Sequence, residues 1–88
     1  MELYLVELYQ KVIREYGTEN QKRIAQEELA ELIQAISKDL RGLDNNVEEE
    51  IADVEIMIEQ LKNIYSKELI NSWKEYKLKR LERIIGEE

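Results

Sequence analysis

The sequence predicts an all-α fold: an antiparallel helical bundle of about four helices per chain, one domain over residues 1–88, completed by oligomerisation. Three observations predict it. The 88 residues include no Pro and three Gly, and 38% of them are charged, so little interrupts helix formation. Apolar residues recur three and four apart along most of the chain, the spacing of one helix face. A chain this short buries only about 60–65% of its unfolded surface, a small core for one copy, so a homodimer or homotetramer is expected.

The first helix is predicted over residues 2–16, where Leu5, Leu8, Tyr9, Val12, Ile13 and Tyr16 share a face and Gly17 supplies a stop. Thr18 with Gln21 three residues on has the form of a capping box, opening a second helix to about Arg41. Its apolar side is Ile24, Leu29, Leu32, Ile33, Ile36 and Leu40. Residues 42–46, Gly-Leu-Asp-Asn-Asn, read as a loop. A third helix starts near Val47, with Asn45 or Asn46 as cap and three glutamates at its positive end, and continues to about Tyr65. Ser66 is placed to cap a fourth helix running to Ile85, although no stop signal separates the two and one continuous helix is the alternative. Trp73, Tyr9 and Tyr16 are read as core or subunit-interface packing rather than as platforms for a base.

Within this frame two acidic pairs stand out, Glu28-x-x-Glu31 and Glu50-x-x-Asp53. Residues three apart lie on one helix face, so each pair aims two carboxylates the same way. At about 100° per residue the acids fall inside or beside the apolar arcs: Glu28 between Ile24 and Leu32, Glu50 between Met57 and Leu61. Carboxylates turned toward a core and toward one another repel and lose hydration, so four of them call for a cation. With no His and no Cys in the chain the donors are oxygen only, which suits Mg²⁺ or Mn²⁺ rather than zinc or copper. Glu27 and Glu49 point more nearly to solvent.

The order Glu27-Glu28-x-x-Glu31, a gap of eighteen residues, then Glu50-x-x-Asp53 resembles the signature of the all-α nucleoside triphosphate pyrophosphohydrolases, the MazG-like group. Gly17, Gln21 and the runs EELAELIQAISK and EEIADVEIMIEQL carry the resemblance over about residues 16–66. It implies hydrolysis of a nucleoside or deoxynucleoside triphosphate to the monophosphate and pyrophosphate. Glu28, Glu31, Glu50 and Asp53 would hold Mg²⁺ or Mn²⁺, and Glu27 or Glu31 would take a proton from the attacking water. Lys38 and the basic last helix, with Lys77, Arg80 and Arg83, would meet the phosphates, the alternatives being a solvated lysine or partner of Gln34 and a basic helix packed against an acidic one. Two rivals share the motifs' reach: phosphoribosyl-ATP pyrophosphohydrolase of the same superfamily, and a non-catalytic helical module whose acids bind a basic partner.

Composition narrows the classes. The net charge of −7 argues against general nucleic-acid binding, which needs basic patches. No apolar run approaches membrane-spanning length and the N-terminus lacks a cationic start with a cleavage site, so no membrane partner and a soluble, cytoplasmic protein are expected. The absence of Cys fits a reducing compartment.

Overall fold

The computed structural model describes residues 2–86, and among them the regular structure is entirely helical. The helices are α1 (Leu3–Tyr16), α2 (Thr18–Leu40), α3 (Val47–Leu61) and α4 (Lys67–Gly86). Among the described residues no helix is long and apolar enough to cross a membrane.

Each boundary has a local cause. Gly17 takes φ 89°, a region that side chains with a Cβ avoid, and its N–H closes α1 on the Ile13 carbonyl at 2.8 Å. Thr18 makes no capping bond and is already the first residue of α2. Its expected partner Gln21 is turned into the core instead. At the other end Gly42, at φ 71°, lets Leu43 N–H reach the Lys38 carbonyl at 2.9 Å and its own N–H reach that of Asp39 at 3.0 Å, a Schellman ending. Asn45 Oδ1 accepts the Val47 N–H at 3.2 Å and so starts α3.

The third helix is shorter than its apolar pattern and is separate from the fourth. Asn63 donates from its side chain to the Glu59 carbonyl at 2.9 Å, and Ser66 Oγ accepts the Leu69 N–H at 3.2 Å. Over residues 62–66 the backbone tightens to i→i−3 bonds at Asn63 and Ile64, and these side-chain bonds accompany the break, which a reading of apolar period alone does not register.

Two polar contacts fix how α2 and α3 pair. Gln21, near the start of α2, donates to Gln60 Oε1, near the end of α3, at 2.6 Å. Glu28 and Glu31, further along α2, approach Glu50 at the start of α3. The two helices therefore run in opposite directions, and α1 packs against both, while the backbone of α4 makes no close approach to the other three.

The buried apolar residues are Tyr9, Ala25, Ala35 and Met57. Alanines at the α2–α3 seam allow close approach of the backbones. The expected apolar side of α2 is only partly used: Ile24 and Leu32 are half-buried, whereas Leu29, Ile33, Ile36 and Leu40 are exposed. Its apolar arc is wider than α1 and α3 can cover. Of the three aromatics read as packing residues, Tyr9 is buried, while Tyr16 and Trp73 are exposed.

The Gln21–Gln60 bond offers a direct stability test, since both side chains are at least 94% covered. Gln21→Ala strands the Gln60 amide and is expected to cost about 1–3 kcal/mol by chemical denaturation. Replacing both by Leu is expected to cost less than the single change, because no buried polar group is then left unpartnered.

Candidate metal centre

The antiparallel pairing of α2 and α3 brings the two acidic motifs together. One carboxylate oxygen from each of Glu28, Glu31 and Glu50 lies within 4.8 Å of the others. Their surroundings differ: Glu50 is 7% exposed, Glu28 half-buried and Glu31 exposed.

Asp53, half-buried one turn beyond Glu50, is not among the oxygens that close to this distance. Its charge nevertheless acts on both Glu28 and Glu50, which places it at the border of the cluster. Glu27 and Glu49 are exposed, as their wheel positions indicate.

The cluster has one neutral donor. Asn46 Nδ2 donates to Glu50 Oε1 at 2.8 Å and to Glu49 Oε1 at 3.1 Å. Asn46 entered the sequence reading only as a helix cap, yet it lies four residues before Glu50, a spacing that brings side chains together at a helix start. The other oxygens of the two covered carboxylates, Glu28 Oε2 and Glu50 Oε2, are buried and have no hydrogen-bond partner. Neither residue joins any ion pair among the described residues.

Unpartnered buried oxygens carry an electrostatic cost. Desolvation, then the charges of Glu31, Asp53 and Glu50, hold the Glu28 carboxyl above the ordinary glutamate range. Glu50 is raised first by desolvation and then by Glu31, with the Asn46 bond acting against them. A carboxyl raised in the folded state binds its proton more readily there than in the unfolded chain. Its favourable contribution is thus complete below the unfolded value of 4.5 and lost as pH rises through the folded value. In chelator the protein is expected to gain stability, through these two groups, as pH falls from neutral toward 4.5. Thermal melts of wild type and a Glu28→Gln, Glu50→Gln double variant check this, the gain being smaller in the variant.

These residues fit a hard divalent cation. The donors are oxygens alone, two are buried without partners, and no protein cation neutralises them. The basic residues stand apart. Lys38 is exposed on α2, seven residues and so about 10 Å along the axis from Glu31. Lys77, Arg80 and Arg83 lie on α4, exposed and away from the cluster of their own chain.

The chain matches no protein-family model, no curated protein and no solved structure, so the resemblance to the MazG-like group is one of sequence motifs alone.

Proposed function

We propose that the protein is a Mg²⁺-dependent pyrophosphohydrolase of nucleoside or deoxynucleoside triphosphates, working as a homodimer or homotetramer. The observation that carries the reading is the pair of buried, unpartnered oxygens of Glu28 and Glu50 converging with Glu31. A solvated acidic face would leave no oxygen both covered and unpaired.

On this reading Glu28, Glu31 and Glu50, with Asp53 beside them, hold Mg²⁺ or Mn²⁺, which supplies Lewis-acid polarisation of the phosphates. The acidic cluster itself repels free phosphate, so these carboxylates would accept a triphosphate only with a cation among them. Glu31, exposed within the cluster, or Glu27, exposed one residue before Glu28, takes the proton of the attacking water. The water oxygen bonds to the α-phosphorus, the α–β anhydride bond breaks, and pyrophosphate leaves. Lys38 offers positive charge to the departing phosphates from the same helix.

A nucleotide panel that includes phosphoribosyl-ATP, incubated with Mg²⁺ and scored by product, tests the proposal. Monophosphate plus pyrophosphate from a triphosphate is expected. Turnover of phosphoribosyl-ATP alone reassigns the substrate, whereas orthophosphate release or no turnover of any nucleotide overturns the hydrolase.

A further inference from the structure

The chain exposes far more surface than a free-standing domain of its size. Its accessible area is 7210 Å², whereas a compact monomer of 10.5 kDa exposes roughly 5,400 Å². Its radius of gyration is 16.1 Å, against about 12 Å for a compact domain of this length. Covering that excess on each of two copies would bury on the order of 3,600 Å² in total, inside the range of obligate interfaces.

Part of the exposed apolar surface forms one continuous face across α2 and α3. On α2, Leu29, Ile33, Ile36 and Leu40 fall within an arc of roughly 60°, displaced by about 80° from the seam with α3. On α3, Ile51 and Ile58 are displaced from the seam in the same rotational sense, and Tyr65 follows after another seven residues. In an antiparallel pair, displacements of the same sense lie on the same side, so the two stripes form one surface. Ile33 is 69% exposed and Leu40 81%.

That surface continues to the fourth helix. Ala25, Leu29, Leu61 and Tyr65 line one depression, and Leu61 and Tyr65 also line a groove with Ile58, Leu69, Ile70 and Trp73. Trp73 is 60% exposed and stacks edge-on with Tyr76, whose ring is also exposed. No residue of α4 is buried.

Charge is complementary to a second copy. Residues 1–66 carry 7 bases and 15 acids, net −8, whereas residues 67–86 carry 6 bases and 3 acids, net +3; Glu87 and Glu88 complete the total of −7. Exposed Glu48 and Glu55 border the apolar stripe of α3, one heptad apart.

We propose that this face is a self-association surface: a second copy of the chain seats its own α2–α3 face and its basic α4 against Leu29, Ile33, Ile36, Leu40, Ile51 and Ile58. The α4 of each copy lies along the acidic α3 rim of the other. This takes up the homo-oligomeric part of the reading above and names its surface, independently of the hydrolytic chemistry.

Light scattering of the full chain at micromolar concentration is expected to give at least twice 10.5 kDa, with the emission of Trp73, the only tryptophan, shifted to the blue. An Ile33→Glu, Ile58→Glu variant changes two exposed side chains and is expected to be monomeric, with unchanged helical circular dichroism and red-shifted emission. A Glu48→Lys, Glu55→Lys variant, which touches no apolar side chain, is expected to weaken association at least tenfold. A monomeric wild type overturns both the oligomer and the surface. A wild-type oligomer that survives in both variants overturns the surface alone and leaves the nucleotide panel untouched.

Discussion

Replacing Glu50 by Gln is expected to raise the melting temperature of the chelated protein and, in the same variant, to abolish hydrolysis and most of the response to Mg²⁺. The change keeps the shape of a side chain that is 7% exposed while removing one of the charges repelling Glu28 and Glu31. The new amide can also donate where Glu50 Oε2 now has no partner. Both effects favour the metal-free fold. On the proposed function activity falls for the opposite reason, since the lost charge is one of those that would hold the cation, and a decrease on the order of 100-fold or more in kcat/KM is expected. Mg²⁺ stabilises only the state that binds it, so its effect on the wild-type melt shrinks with affinity. Glu15→Gln is the control, at an exposed position of α1 outside both the acidic cluster and the self-association surface. Glu59 is less suitable because it pairs with Lys62 at 3.5 Å. If Glu50→Gln and Glu15→Gln alter apo stability and Mg²⁺ response alike, the acids are a solvated face.

The largest loss of stability is expected from Tyr9→Ala. Tyr9 is the bulkiest of the four buried apolar residues and the only one that α1 contributes. Truncating a buried aromatic costs about 3 kcal/mol or more, and for a domain of this size each kcal/mol moves Tm by roughly 4–8 °C. A fall of more than about 10 °C is therefore expected, with amide exchange accelerating first in α1, whose hold on α2 and α3 depends on this side chain. Lys11→Ala, exposed on the same helix, should shift Tm by less than about 2 °C. Equal effects of the two changes would show that α1 is not anchored through Tyr9.

The number of helices, their approximate limits and the inward placement of Glu28 and Glu50 were legible in the sequence, because each depends on neighbours within about two turns. Gly17 and Gly42 end helices through their own backbone freedom, and Glu28 and Glu50 fall inside apolar arcs whatever lies across from them. The break between α3 and α4 is accompanied by side-chain bonds of Asn63 and Ser66, and the apolar pattern runs through both positions unchanged. Distances between helices depend on register and approach, which no single-helix period contains. Only the packed structure separated Glu28, Glu31 and Glu50, which converge, from Asp53, which stands at their border. It alone turned Gln21 from a capping residue into the buried partner of Gln60. The wheel likewise identified a broad apolar side on α2 without indicating how much of it this chain covers. That depends on how many helices are at hand, and here α1 and α3 cover one part, leaving Leu29, Ile33, Ile36 and Leu40 exposed while the backbone of α4 makes no close approach to the other helices.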